Sequence, residues 1–201
     1  MTSPSERFDR HVQRRSAQVL KQRVLEQQRT EFEKALAWAA EHDAIERAAA
    51  LIVSARRRFL LGHGKSLAYA SMLATDLTAG LSGVHLAGDT LDMLADIRQG
   101  DLLVAVSLAR YRRETVTVAR EWVRGGGRLV LITDAEDAPL APIATVGIVI
   151  GTESVSYANS PTAVTLALHL LATLTIASAK GAGRRLRDRD ELAARGGLYA
   201  D

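Results

Sequence analysis

The chain has no cysteine. Disulfides and thiolate metal sites are excluded, and a reducing, cytoplasmic setting is the expectation. The five histidines are scattered without ligand spacing, so neither a metal nor another cofactor is expected. Aromatic residues make up only 4% of the sequence. Alanine, valine and leucine must therefore fill the core, which suits helices layered on a sheet. No strong charge of one sign is present: the net charge is +3, from clusters such as Arg56 to Arg58, Arg110 to Arg113 and Arg184 to Arg189. That balance does not by itself indicate nucleic acid. The first fifteen residues are polar, without the apolar segment of a secretory signal. Only residues 162–179 form an uncharged run near the length of a membrane span, and they contain four threonines and His169. A helix buried on several sides, with surface left over for a subunit interface, fits them better than a membrane.

What is present is alternation. At 201 residues the chain suits one domain with a sizeable core. Residues 6 to about 37 read as one long polar helix with a ragged apolar stripe. A second helix runs from Asp43, a candidate N-cap with Glu46 three residues later, to Ser54. Strands are expected at 59–62, 84–87, 102–107, 128–133 and 146–150. Helices are expected from Ser66 to Gly80, Asp89 to Ile97, Glu114 to Arg124, and from Pro161 to the glycines at 181 and 183. Such alternation implies parallel strands with right-handed crossovers. The expected fold is a three-layer α/β/α sandwich on a five-stranded parallel sheet. An N-terminal helical extension (1–40) precedes the main domain (41–183). A charged tail (184–201), mobile or a short helix, follows.

Two strand-to-helix loops stand out, Gly62-His63-Gly64-Lys65-Ser66 and Ser107-Leu108-Ala109-Arg110-Tyr111-Arg112-Arg113-Glu114-Thr115. In an open parallel sheet, ligands bind outside the carboxyl ends of the strands. Glycines admit an anion to the backbone, and a helix N-terminus offers free N–H groups. The first loop is not a P-loop, because Phe59 stands where a glycine is required, nor a dinucleotide fingerprint, because Leu67 replaces the third glycine. A tight turn that needs glycine for geometry alone remains the plainer alternative. For the arginines of the second loop, the plainer alternative is a solvated surface.

Together these pieces resemble the SIS (sugar isomerase) domain, and in particular the sugar-phosphate-sensing half of RpiR-type bacterial regulators. That family has a glycine-serine loop after its first strand, matched at residues 62–66. Its second loop follows Ser-x-Ser-Gly-x-Ser/Thr and in the RpiR branch continues Arg-Glu-Thr. Ser107 and Arg113-Glu114-Thr115 match. A strand ending in Ile132-Thr133 and then Pro139-Leu140-Ala141 completes the order over roughly residues 40–180. The resemblance implies a phosphorylated sugar as ligand, with Gly62, Gly64, Lys65, Ser66 and Ser107 cradling the phosphate. Arg110, Arg112 and Thr115 would assist, and His63 and Tyr111 would meet the sugar. It also implies a homodimer or dimer of dimers.

There are departures. Ala109, Arg110 and Arg112 replace a serine, the glycine and a hydroxyl of the family pattern. The region before Asp43 is too short for the helix-turn-helix domain of the regulators. A stand-alone binding domain is expected, with no operator reading of its own, although Arg7, Arg10, Arg14 and Arg15 could touch phosphates non-specifically. The alternative is a phosphosugar isomerase, which needs a base for enediol proton transfer. Glu153 and His169 are the catalytic candidates, with His63 as a third. Asn159, Ser160 and Thr162 either cap the last helix or reach a ligand at the same edge.

Overall fold

The computed structural model describes residues 3–13, 15–88 and 90–199. Arg14, and Asp89 as the expected start of a helix, lie outside them. Five strands, β1 (Arg58–Leu61), β2 (Val84–Leu86), β3 (Leu102–Val106), β4 (Arg128–Thr133) and β5 (Val146–Val149), form one sheet in the order β2-β1-β3-β4-β5. All neighbours pair in parallel. The order reverses between β1 and β3, so their loops diverge to opposite sides and leave a crevice between them.

The central strands are buried on both faces, which explains their unbroken apolar runs. On one face Leu102, Val104, Val106, Val130 and Ile132 meet α3 (Ala44–Ser54), α4 (Lys65–Gly80) and α7 (Thr162–Ser178). On the other, Leu103, Ala105, Leu129 and Leu131 meet α5 (Thr90–Ala95) and α6 (Arg113–Arg124), with Trp122 fully enclosed. Helix α7 is apolar because it packs on α3, α4 and α2 as well as the sheet. Among the described residues no single helix is long and apolar enough to cross a membrane.

The N-terminal region departs from the expected single helix. A short α1 (Pro4–Arg7) continues as a π-helical turn over Phe8–Val12. The backbone is extended at Gln13, and α2 (Ala17–Glu41) then begins. The break has local causes. Ser3 and Glu6 form a reciprocal capping box on α1, while the Ser16 hydroxyl accepts from Val19 N–H and starts α2 afresh. Asp43 does precede α3, but its side chain caps nothing and instead faces Arg47 at 3.6 Å. The charged stretch after residue 181 is helix α8 (Ala182–Gly196), tied to α4 by Arg185 Nε donating to Thr78 O.

Candidate functional site

The crevice is built from two turns that only particular residues allow. A Cβ on Gly62 would lie 2.4 Å from the Ser66 carbonyl oxygen, so the chain can fold back onto the start of α4 only with glycine there. Gly64 adopts φ +62°, a left-handed conformation, and directly precedes α4. Neither α4 nor α6 has a side-chain N-cap. In α4 Leu67 N–H already donates to Gly64 O, which leaves the Lys65 and Ser66 N–H groups, and those at the start of α6, to meet an anion in the crevice.

The second turn is held from the end of β4. Thr133 Oγ1 donates to Ser107 O at 2.8 Å, and Ala109 N–H donates to both oxygens of Asp134 at 3.1 and 3.0 Å. Thr152 Oγ1 also donates to Asp134, at 3.1 Å. Asn159, from the loop before α7, closes the arrangement. Its amide donates to Ala109 O at 2.6 Å, its backbone carbonyl accepts from Lys65 Nζ at 2.6 Å, and its side-chain oxygen accepts from Arg7 Nη1 at 2.8 Å. The N-terminal helix and both crevice turns thus converge on Asn159.

Between them lies a cavity of about 680 Å³, lined by Arg7, His63, Lys65, Ser66, Tyr69, Ser107 and the whole run Ala109 to Thr115, among others. Its chemistry is cationic. Arg7, Lys65, Arg110, Arg112 and Arg113 all line it, and among the described residues none of them forms an ion pair. Glu114 is the single carboxylate on its wall among the described residues. Ser107 Oγ, Tyr69 OH and Arg7 Nε are buried there without a hydrogen-bond partner among the described residues. Ser107 is 3% exposed and Tyr69 5%. Orphaned buried polar atoms carry a desolvation cost, and a ligand that pairs them removes it. Burial, with Arg7 adding its charge, holds the Lys65 ammonium below the ordinary lysine value. Burial also raises the Tyr69 hydroxyl. Tyr111 is pushed up to about 12 by burial, with the negative charge of Asp134 adding to it.

Of the residues singled out in the sequence, His63, Lys65, Ser66, Ser107, Arg110, Tyr111, Arg112 and Thr115 all line this cavity. His63 Nδ1 and Thr115 Oγ1 lie 2.9 Å apart as a hydrogen-bonded pair, so the buried Thr115 hydroxyl already has a partner. Gly62 and Gly64 shape the turn rather than line the cavity. Gly64 lies beneath the Arg112 guanidinium, and a Cβ on it would meet Arg112 Nε and Nη2 at 3.3 Å.

Glu153 and His169 stand elsewhere. Glu153 is exposed, lining a hollow with Glu31 and Lys34 beyond β5. The loop reaches the crevice only at Tyr157 to Asn159. His169 is exposed because the sheet-facing stripe of α7 runs through Ala163, Ala167, Leu168 and Leu171, and His169 falls outside it. Ser160 and Thr162 hydroxyls both donate to Gln28 Oε1 of α2, and Ser160 Oγ also accepts from Thr162 N–H.

Tyr69 and Tyr157 carry no local signal, and Arg7 only that of a non-specific phosphate contact, because their place at the crevice depends on long-range packing. The Ser3-x-x-Glu6 pattern is a readable helix start, and it places Arg7 in the first turn of α1. Among the described residues no group of three or more His, Asp or Glu side chains converges to hold a metal.

The comparisons agree with this fold. The fold superposes on the sugar isomerase domain of an RpiR transcription factor from Sphaerobacter thermophilus with a TM-score of 0.76. The two are 26% identical, over 84% of this chain and 96% of that one. It also matches Vibrio vulnificus NanR complexed with ManNAc-6P, at TM-score 0.74 and 19% identity over 89% of this chain and 70% of that one. A third likeness is a putative sugar-phosphate isomerase from Listeria monocytogenes, at TM-score 0.62 and 17% identity over 81% of this chain and 90% of that one. No curated protein sequence matches the chain. The SIS domain family model matches residues 51–177, a span that holds all five strands and both turns of the crevice, and the chain therefore belongs to the SIS domain family.

Proposed function

We propose that the crevice binds a phosphorylated sugar and that the protein is a sensory or regulatory binding module. In this reading the phosphate sits at the first turn of α4, against the N–H groups there, the Ser66 hydroxyl and the Lys65 ammonium. The sugar lies towards Ser107, His63 and Tyr111. Arg110, Arg112 and Thr115 assist, and Gly62 and Gly64 fix the turn. The observation that carries the reading is the set of buried Ser107 Oγ, Tyr69 OH and Arg7 Nε, unpartnered among the described residues, in a cavity whose wall also carries Lys65, Arg110, Arg112 and Arg113. The ManNAc-6P held by NanR, a protein of the same fold, supports it. The likeness to an RpiR sugar isomerase domain supports the regulatory role. Glu153 and His169 lie outside the cavity, which favours binding over turnover. The same reading takes the chain as a homodimer or dimer of dimers, to be checked by light scattering.

The test is a thermal-shift screen with hexose phosphates, amino-sugar phosphates and the matching free sugars. A ligand that binds only the native state raises the melting temperature by mass action. A shift with a phosphosugar that its free sugar does not give is the expected result. No shift with any phosphosugar overturns the reading. One observation favours the second reading, a phosphosugar isomerase: His63 and Glu114 share the cavity wall, and either could move a proton through an enediol. Aldose–ketose exchange of a bound phosphosugar, followed by NMR, would move the protein to that class.

A further inference from the structure

The cations of the cavity outnumber what one phosphate needs, and they fall into two groups. Arg7 and Lys65 stand together at Asn159, beside the start of α4. A phosphate monoester dianion there is matched by these two charges. Arg110, Arg112 and Arg113 remain, on the loop that enters α6, with Glu114 as the only carboxylate among the described residues of the same wall. Helix α6 is twelve residues long and its N-terminus lacks a side-chain cap. The Arg112 guanidinium rests over Gly64, so it spans the gap between the two helix starts. Among the described residues Asp134 forms no ion pair with these arginines; its carboxylate accepts from Ala109 N–H and Thr152 Oγ1. The buried Ser107 and Tyr69 hydroxyls, both without partners among the described residues, line the same space and offer hydrogen bonds to a polar ligand.

We propose that the ligand carries two anionic groups: a phosphate at the first turn of α4, and a second anion, phosphate or carboxylate, at the start of α6 held by Arg112 and Arg113. Arginine suits this second position because its planar fork pairs two oxygens at once. The proposal rests on the phosphosugar reading and narrows it to sugar bisphosphates and phosphorylated sugar acids.

Calorimetric titration with four probes tests it: glucose 6-phosphate, fructose 1,6-bisphosphate, 6-phosphogluconate and gluconate. At least one doubly anionic probe is expected to bind roughly ten-fold or more tighter than glucose 6-phosphate, with a steeper loss on adding salt. The bisphosphate and the phosphogluconate together tell a second phosphate from a carboxylate. In an Arg113→Gln variant the advantage should collapse while glucose 6-phosphate affinity changes by about two-fold or less, consistent with an added charge-assisted contact being lost. Arg113→Met serves if the Gln variant does not fold, as judged by its melting curve. Equal affinity for singly and doubly anionic probes, or an advantage that survives the substitutions, overturns the second anion and leaves the phosphosugar reading standing. Binding by none of the phosphorylated probes overturns both.

Discussion

Arg58, at the start of β1, and Ser107, just past the end of β3, are both buried, yet the fold treats them in opposite ways. Arg58 gives every arm of its guanidinium to a carbonyl: Nε to Ile52 O at 2.6 Å, Nη1 to Ser82 O at 3.0 Å and Nη2 to Val53 O at 3.0 Å. It thereby closes the carboxyl end of α3 and ties it to the turn before β2. Beside it, Arg57 pairs with Asp101 at 2.5 Å and Asp96 at 2.7 Å, and Asp101 also accepts from Arg98 N–H. At the opposite edge Ser107 Oγ and Tyr69 OH have no partner, and Arg7, Lys65 and the loop arginines have no carboxylate among the described residues. The same residue types thus serve as mortar at the amino-terminal edge and as an unsatisfied surface at the carboxyl edge. A polar network finished within the fold stabilises it. One left open carries a cost that a ligand can remove.

Substitutions can break this contrast, and the largest effect belongs to the finished edge. Arg58→Met should destabilise the protein by about 3 kcal/mol, because buried carbonyls lose charge-assisted hydrogen bonds. For a chain of this size that is a fall in Tm of roughly 6–12 °C. Phosphosugar affinity should stay within about two-fold, since the residue lies at the far end of the sheet. A loss of affinity without a loss of Tm would refute the division between the edges. The next effect belongs to the open edge. Ser66→Ala with Ser107→Ala should weaken phosphosugar binding by about 100-fold, an amount on the order of 2.7 kcal/mol. The unliganded Tm should hardly move, because Ser107 Oγ bonds to nothing in the free protein. Calorimetry and a melting curve on the same sample check both halves.

Asp101 gives the finished edge a pH signature. Burial alone would raise its carboxyl, but hydrogen bonds from Arg57 and from Arg98 N–H hold it below the ordinary aspartate value. A carboxylate with a depressed folded-state pKa adds stability above its unfolded value of about 3.9, and that stability is lost as pH falls through the folded value. Asp101→Asn should therefore cost about 1–3 kcal/mol at neutral pH and flatten the acid limb of the stability curve. An acid limb unchanged in the variant would show that Arg57 finds its stability elsewhere.

The edges differed in how legible they were. Period and punctuation mark the strands: the central ones are continuous apolar runs, with β1 closed by Gly62 and β3 by Ser107. The Gly62–Ser66 and Ser107–Thr115 loops were legible because strand-to-helix turns must emerge at one edge. Local signals do not say which distant segment folds over that edge. Asn159 read as a helix cap or a ligand contact, and only the packing of α7 brings it between Lys65, Ala109 and Arg7. The place of Arg7 at the crevice is not legible because residues 6–37 carry one continuous polar pattern, whereas the Ser16 cap starts α2 afresh and α1 lies across the crevice. Glu153 failed to reach the cavity because a long loop separates β5 from α7, and only the later part of it returns to the crevice. The finished amino-terminal edge left almost no trace, since Arg56-Arg57-Arg58 read as a charge cluster and the partners of Arg58 are carbonyls.

The smallest expected effect sharpens the contrast most, because it has opposite signs with and without ligand. Lys65 is held below the ordinary lysine value by burial and by Arg7, so keeping it charged costs the free protein stability. A base with a depressed folded-state pKa binds fewer protons folded than unfolded between those two values, and stability rises with pH across that alkaline window. Lys65→Met should remove the rise. At neutral pH it should stabilise the unliganded protein by about 0.5 kcal/mol or less, since solvent screens a side chain this exposed. Bound phosphate reverses the sign: its charge favours the ammonium, so binding to the native protein should weaken as pH climbs through the lowered lysine value. Lys65→Met should bind more weakly at neutral pH and lose that pH dependence. Melting curves and affinities taken across the alkaline range on both proteins measure the two signs together. If Lys65→Met destabilises the free protein, Lys65 is already satisfied by Asn159 O, and the open edge is less open than its unpaired charges indicate.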